Sequence, residues 1–511
     1  MTRWTAALAG RRNAAGATAL AVVAALVGAT LVAGCDSAGS EAAPTGSAGA
    51  TAPESASGSA PGPLDQVTLD PAAGRSDPVA DPVYPEHGNP AVDVLVYDLD
   101  LSWDPTAKVL TGTATLTVRA TEDLDEITLD FSGALDAEHV TVDGTVATAR
   151  QADDNLAVPL PNRLAADDQT ELVVTYRGRP RSVVAPMVRT DIASVGLVVD
   201  RDGSAFALQE PYGAFTWYPV NDQPSDEALY DLSVTVPDGW AAVSGGDPQP
   251  VVPADGGGQT YRYVAAEPVA SYLVALGIDK YEHTVAAGPH GLPMHFWYLP
   301  AEAATIRPLP TRMAEMISWL EQRFGPYPFR TAGLMTIPVR TGMETQRMIT
   351  LSAGFPDEVL VHELAHHWFG DTVTPRTWRD MWLNEGWAMY AQALWEDEFG
   401  GEFGDPVPLS RTLADWRTKD GALRAQHGPP ADYDPGHFGS ANVYYSPALM
   451  LHEIRRQVGD RAFFGLAHDW AQDHKNTTQD RASFTAFVNE HTGEAFTALI
   501  DTWLDSPTTP R

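Results

Sequence analysis

The hydrophobic pattern of this 511-residue chain changes its period once, near residue 304. Between about residues 92 and 300, apolar and polar residues alternate in short runs rich in β-branched and aromatic side chains, for example over 95–101 and 172–176. Turn signals such as Asp-Gly separate these runs. Alternation of this kind is typical of antiparallel strands with one buried face. Residues 91–300 are therefore predicted to form a large antiparallel β domain, a saddle or a sandwich.

The remainder of the chain has a helical period. Met313, Met316, Ile317 and Leu320 recur on one face of a helix, and a short strand-like piece follows at 334–338. Further helices are predicted at roughly 357–369, 382–398, 443–458, 460–472 and 480–491. Because one core rarely serves a chain of this length, we expect a multidomain α+β protein whose second domain, residues 301–511, is mostly helical.

The first 35 residues read as an export signal. Three arginines within the first twelve residues precede an uncharged run rich in Ala, Val and Leu that ends in LVAGC at residues 31–35. This ending resembles the lipobox of bacterial lipoproteins, in which the cysteine is lipidated after cleavage. Residues 1–34 are thus predicted to be a lipoprotein signal peptide and Cys35 the lipidation site. The alternative is an uncleaved transmembrane helix, since about 20 apolar residues span a bilayer.

Residues 35–90 are predicted to be a flexible tether between this anchor and the folded domains. From Asp36 to about Gly62 the chain holds mainly Ala, Gly, Ser, Thr, Pro and Glu. Such a segment cannot bury enough apolar surface to offset its ordering entropy. The leader and tether together predict an exported protein, lipid-anchored to the outer face of a bacterial cell membrane.

Charge and cysteine content exclude several kinds of site. The chain has 67 acidic residues against 33 lysines and arginines, a formal net charge of −34. This balance disfavours nucleic acid as a partner, because phosphate binding needs clustered cations. Cys35 is the one cysteine, so an internal disulfide or a thiolate metal site is excluded. Any bound metal must therefore be held by nitrogen and oxygen.

The strongest motif is HELAH at residues 362–366, within a predicted buried helix. Residues four apart on a helix share one face, so His362 and His366 can both reach one metal ion. Glu363, beside the first ligand, can accept a proton from water at the metal. His367 lies about 100° further round the helix and is a poor ligand candidate.

A catalytic zinc needs three protein ligands and one open position. Glu385 follows His366 by nineteen residues, early in an apolar helix beside Trp382 and Trp387. An unpaired carboxylate there would be costly, and a metal ion would remove that cost. Glu385 is therefore the candidate third ligand of one zinc ion per chain; the alternative is a helix-terminus glutamate that faces solvent.

These motifs resemble those of the gluzincin aminopeptidases, the aminopeptidase N and leukotriene hydrolase family. HExxH is followed after eighteen residues by Glu in an Asn-Glu-Gly setting. The residues at 342–345 resemble the family's Gly-Ala-Met-Glu-Asn exopeptidase motif, and those at 324–329 its usual lead-in to the zinc helix. Residues 209–224 resemble the segment that carries an amine-binding acid. The resemblance covers about Val92 to Asp505 and does not include the large C-terminal helical domain of many relatives. It implies a thermolysin-like catalytic domain.

The resemblance also implies residue roles. Glu363 would be the general base, and Tyr444 would stabilise the transition state, with Tyr445 as the alternative because Ser446-Pro447 replaces the family's Lys-Gly. Glu344 and Glu210 would bind the substrate's free amine. Met343 would line the pocket for the first side chain.

The sequence thus predicts a zinc-dependent aminopeptidase that acts on peptides with a free N-terminus outside the cytoplasm. Two other functions stay open. A gluzincin endopeptidase would share the metal site but not need the amine anchors Glu344 and Glu210. A surface binding protein would retain only a vestigial zinc site.

Overall fold

The computed structural model describes residues 68–189, 191–401 and 404–511. The predicted signal peptide, Cys35 and the first part of the predicted tether, residues 35–67, lie outside these ranges. Within the described ranges, no helix combines the length and apolar character that crossing a bilayer requires.

The N-terminal half is a β domain, which we define as residues 92–279. Its strands are β1 (Val92–Asp104), β2 (Val109–Ala120), β3 (Leu124–Asp130), β4 (Leu135–Val142), β5 (Thr145–Val146), β6 (Arg150–Ala152), β7 (Asn155–Leu164), β8 (Gln169–Gly178), β9 (Val183–Val184), β10 (Ser194–Val199), β11 (Ala205–Leu208), β12 (Glu227–Val236), β13 (Ala241–Val243), β14 (Asp247–Pro248), β15 (Val252–Pro253), β16 (Gln259–Ala270) and β17 (Gly277–Asp279).

A nine-stranded sheet dominates this domain, in the order β14-β16-β12-β1-β2-β8-β4-β5 with β15 beside β16. A five-stranded sheet (β13-β17-β11-β10-β9) and a three-stranded sheet (β3-β7-β6) accompany it. In β1, Tyr97, Leu99 and Leu101 are buried while the residues between them are exposed. This alternation is what the sequence predicted; within the large sheet, however, β1 pairs with β12 in parallel.

The helical domain follows, residues 282–505. Its strands are β18 (Glu282–Ala287), β19 (Pro293–Tyr298), β20 (Ala332–Ile337), β21 (Gly342–Met343), β22 (Ile349–Ser352), β23 (Val373–Pro375) and β24 (Thr477–Gln479). Its helices are α1 (Ala303–Ile306), α2 (Leu309–Phe324), α3 (Asp357–His366), α4 (Trp382–Phe399), α5 (Leu409–His427), α6 (Asn442–Val458), α7 (Asp460–Asp473), α8 (Arg481–Thr492) and α9 (Thr497–Asp505). Sheet β18-β19-β20-β22-β21 lies before α3 in the chain and presents β21 at its edge.

The boundary between the domains differs from the predicted one at residue 300. Strand β18 (Glu282–Ala287) pairs with β19 (Pro293–Tyr298), and β19 pairs with β20, so both strands belong to the sheet of the helical domain. A hairpin at a sheet edge has the same alternating pattern whichever domain it joins, so periodicity alone placed the boundary too late.

Helix α5 did not stand out in the hydrophobic pattern. Its buried face carries Leu413, Trp416, Asp420, Arg424 and His427, so an ion pair occupies positions that are usually apolar. Arg424 Nε donates to Asp420 Oδ2 at 2.8 Å, and both side chains are fully buried. A charged pair on the buried face weakens the apolar periodicity on which the helix prediction depends.

Residues 68–90 are ordered against both domains, which corrects the prediction of a flexible tether as far as residue 90. The backbone N–H of Val83 and of Tyr84 donate to Asp81 Oδ1, and that of Trp378 in the helical domain donates to Asp81 Oδ2. Tyr84 Oη donates to the carbonyl of Pro435 at 2.8 Å. This segment is held in place by hydrogen bonds and not by a run of apolar residues. Its composition therefore resembles that of a linker.

The Asp81→Ala substitution is expected to lower the free energy of unfolding by about 3 kcal/mol, because it leaves three buried backbone donors without an acceptor. The urea midpoint of the purified protein measures this change. Asp77→Ala is the matched control, since its carboxylate is 90% exposed and the substitution should cost less than about 0.5 kcal/mol. Equal effects of the two substitutions would show that the Asp81 contacts do not hold the segment.

Candidate metal and active site

Helix α3 carries the two histidines of the HELAH motif on one face. The helix ends at His366, three residues earlier than predicted, and an irregular turn follows through Gly370 (φ 139°). In this turn the carbonyl of Phe369 accepts a hydrogen bond from His366 Nδ1 at 3.2 Å. A carbonyl can only accept, so the bond fixes the hydrogen on Nδ1 and leaves Nε2 free as a ligand atom.

Helix α4 brings the third side chain. A β-carbon added at Gly386 would lie 2.5 Å from Pro447 Cβ of α6, so only glycine lets α4 and α6 approach this closely. The neighbouring Glu385 is 3% exposed, and its Oε2 lies 3.2 Å from His362 Nε2 and 3.5 Å from His366 Nε2. Three potential ligand atoms therefore converge at one point.

This donor set fits zinc. The ligand atoms of His362, His366 and Glu385 all lie within 4.8 Å of one another, and two imidazole nitrogens with one carboxylate oxygen match a catalytic zinc site. Glu385 Oε2 is buried and faces both imidazole nitrogens. Burial would raise the pKa of Glu385, but the two imidazoles outweigh burial and lower it below its ordinary value. The carboxylate is thus held ionised, as a metal ligand must be.

Glu363 lies beside this point and against the edge strand β21. A β-carbon added at Gly342 would lie 2.2 Å from Glu363 Oε1, so the carboxylate rests directly on the glycine backbone. Burial, and then the negative charge of Glu344, raise the pKa of Glu363 to about 8. A carboxyl group tuned upward in this way is suited to proton transfer near neutral pH.

Two more carboxylates lie beside the potential metal ligands, those of the half-buried Glu210 and the buried Glu344. Glu344 follows β21, and Glu210 follows β11 of the β domain, so the two domains each contribute one. Ligand atoms of Glu210, Glu344 and Glu385 lie within 4.8 Å of one another. Glu210 Oε1 and Glu344 Oε1 are buried without hydrogen-bond partners, and burial, together with neighbouring carboxylates, raises the pKa of both groups. Their arrangement favours a cationic ligand.

The segment that holds Glu210 is fixed by its neighbour Gln209. The amide of Gln209 donates to the carbonyls of Ser271 and Val274 and accepts from Trp217 Nε1 at 2.9 Å. All these groups are buried, so their hydrogen bonds hold the backbone next to Glu210 in a defined position.

The two candidate tyrosines on α6 point to different places. The ring of Tyr444 lies 6.0 Å from that of His362, beside the metal ligands. The ring of Tyr445 stacks on Trp416 of α5, with centroids 5.0 Å apart and planes 8° apart. Of the remaining predicted residues, Met343 is buried in β21.

Arg189 also reaches the site, and no motif in the sequence indicates this. This residue lies between β9 and β10 of the β domain, and its Nη1 lies 3.5 Å from Tyr444 Oη. An arginine in a loop, separated from its contact by 255 residues, carries no local motif. Gly342 and Gly386 belong to sequence motifs, but the motifs do not indicate that these glycines allow close packing.

Comparison with known proteins identifies relatives over both domains. The model of the Peptidase M1 N-terminal domain matches residues 94–273, and that of the Peptidase family M1 domain matches residues 311–503. Aminopeptidase N of Lactococcus lactis is 26% identical, and the match covers 57% of this chain and 38% of that protein. Aminopeptidase B of Mus musculus is 28% identical, and the match covers 59% of this chain and 50% of that protein. The chain thus spans half or less of the length of these curated relatives.

Solved structures cover the chain more fully. The M1 zinc metallopeptidase of Deinococcus radiodurans is 29% identical, with a TM-score of 0.74, and the match covers 85% of this chain and 99% of that one. A mutant of the M1 zinc metallopeptidase of that organism, solved with a Tyr-Ser-Ala substrate, matches with 29% identity, a TM-score of 0.75 and the same coverage.

Proposed function

Because the chain belongs to the aminopeptidase N family of gluzincin zinc metallopeptidases, we propose that it is a zinc-dependent aminopeptidase. It would hydrolyse N-terminal residues from peptides outside the cytoplasm. The observation that carries this proposal is the placement of Glu210 and Glu344, with unpartnered buried oxygens, next to the triad of His362, His366 and Glu385.

The triad would hold the zinc ion. When bound, zinc would polarise the scissile carbonyl and lower the pKa of the attacking water toward about 7. His362 and His366 would present Nε2, and Glu385 would present Oε2.

Glu363 would act as the general base. Its carboxylate would take a proton from the attacking water and pass it to the leaving amine as the peptide bond breaks. The backbone of Gly342 lies directly against Oε1 and restricts the carboxylate, which reduces the entropy lost on reaching the reactive geometry.

Tyr444 would stabilise the oxygen that becomes negative when the carbonyl is attacked. Its hydroxyl can donate a hydrogen bond at the edge of the metal site, where charge develops. Met343, buried near Glu344, would contribute to the pocket for the first side chain.

Glu210 and Glu344 would bind the substrate's α-ammonium group by charge-assisted hydrogen bonds. Each carboxylate would thereby gain the partner that its buried Oε1 lacks. This recognition requires a free N-terminus and distinguishes an aminopeptidase from an endopeptidase.

The cellular location is proposed from the leader alone. Its cationic start, apolar run and terminal LVAGC support a lipid anchor at Cys35. Residues 36–67 would then connect the anchor to the segment 68–90 that contacts both domains. Labelling of cells with a palmitate analogue, compared between the parent protein and Cys35→Ser, tests this anchor; equal labelling of the two would contradict it.

The function is tested by a scan of aminoacyl-anilides with the purified enzyme. We expect about one zinc ion per chain, loss of hydrolysis on chelation and recovery on zinc add-back. Metal-free, inert protein would instead indicate a binding protein with a vestigial site.

Acetylation of the substrate's N-terminus is expected to lower kcat/KM by about 100-fold or more, because two carboxylates then lose their cationic partner. The measurement compares a peptide with its N-acetyl form, followed by mass spectrometry of the products. A Glu210→Gln variant should lose activity on the free peptide and show a smaller difference between the two substrates. Undiminished cleavage of the acetylated peptide would identify an endopeptidase.

A further inference from the structure

The loop between β9 and β10 of the β domain enters the site beside Tyr444. The carbonyl of Pro186 in this loop accepts a hydrogen bond from the backbone N–H of Phe438 at 3.0 Å, which attaches the loop to the segment just before α6. Arg189 extends from the loop and places Nη1 3.5 Å from Tyr444 Oη. Its side chain is only 23% exposed. A cation carried by one domain therefore contacts the candidate transition-state donor of the other.

The guanidinium group is held by Asp191. Arg189 Nε donates to Asp191 Oδ1 at 3.1 Å, and Nη2 donates to Asp191 Oδ2 at 2.5 Å. Two parallel bonds of this kind fix the plane of the guanidinium as well as its position. Nη1 lies outside the pair and is the nitrogen left to contact Tyr444.

The direction of this contact matters for the chemistry. A guanidinium can only donate hydrogen bonds, whereas a tyrosine hydroxyl has one donor hydrogen and acceptor lone pairs. The Tyr444 oxygen must therefore accept from Arg189, and its own hydrogen is left to point elsewhere. Donation from a cation also polarises the hydroxyl and strengthens the bond that the hydroxyl then donates.

We propose that Arg189, clamped by Asp191, is a positioning residue that orients the Tyr444 hydroxyl toward the reacting carbonyl oxygen. This inference rests on the proposed aminopeptidase function. It assigns to the β domain a part in the chemical step in addition to the amine anchor Glu210.

A double-mutant cycle tests the proposal in the full-length zinc enzyme, with Arg189→Gln, Tyr444→Phe and the double variant. Arg189→Gln is expected to lower kcat about tenfold, with KM for a neutral aminoacyl-anilide changed less than about twofold. In the Tyr444→Phe background the same substitution should change kcat by less than about twofold, because the hydroxyl it orients is gone. Zinc content and the thermal midpoint are measured for every variant.

Arg262→Gln is the matched control. Arg262 forms a comparable two-bond pair with Asp231, at 2.7 and 2.6 Å, on strands of the large sheet. Its substitution should leave kcat unchanged. If Arg189→Gln does not fold, Asp191→Asn provides the same cycle, since it releases the guanidinium without deleting it.

Equal losses from Arg189→Gln in both backgrounds would overturn the proposal, as would an unchanged kcat in the single variant. A loss that appears as a higher KM alone would also overturn it, because it would place Arg189 in substrate binding. A parent enzyme without aminopeptidase activity would overturn the proposed function together with this inference. An active parent with additive effects overturns this inference alone.

Discussion

The Glu363→Gln substitution is expected to lower kcat by about 10³-fold while about one zinc ion per chain stays bound. Glutamine keeps the size of the side chain, so it fits against the backbone of Gly342 as glutamate does. It has no carboxylate to receive the proton of the attacking water. The metal triad does not include Glu363, so zinc affinity should be retained.

Steady-state kinetics and metal analysis on the same preparation separate the two effects. The control is Glu315→Gln, an exposed position on α2, which should leave both kcat and zinc content unchanged. Glu385→Gln provides the opposite reference, because loss of a ligand should lower zinc content and activity together. Retained turnover in Glu363→Gln would show that another group is the base.

A local motif was enough to predict the core of this candidate site. The four-residue spacing within HELAH places His362 and His366 on one helix face in any context, and the structure places both beside Glu385. Glu385 is predicted less directly, from the cost of an unpaired carboxylate in an apolar helix, because the turn from Phe369 to Gly370 that directs the chain toward α4 has no strong sequence signal. Strand alternation likewise predicted β1, whose buried face follows the sequence pattern.

Long-range pairing could not be predicted in the same way. Hairpin β18–β19 joins the second domain through its register with β20, and Asp81 is ordered by a backbone group 297 residues away. Arg189 depends on a contact between domains and on Asp191 for its orientation. Apart from Asp191, which is two residues from Arg189, these partners lie far away in the sequence, so neither composition nor periodicity carries the information.

Tyr444→Phe is expected to lower kcat by about 10²-fold or more, the usual cost of removing one donor to the developing oxyanion. Phenylalanine keeps the ring beside His362, so zinc content and KM should change little. The effect should concentrate in kcat, since the hydrogen bond strengthens only as charge develops on the oxygen.

The adjacent Tyr445→Phe substitution is the matched control and resolves the alternative left by the sequence. Tyr445 stacks on Trp416 and is oriented toward α5, so removal of its hydroxyl should leave kcat within about twofold of the parent enzyme. Pro447 packs closely against Gly386 of α4 and so helps to set the distance between α4 and α6. A large loss in Tyr445→Phe with an active Tyr444→Phe would reverse the assignment and would mean that α6 turns its other face to the substrate.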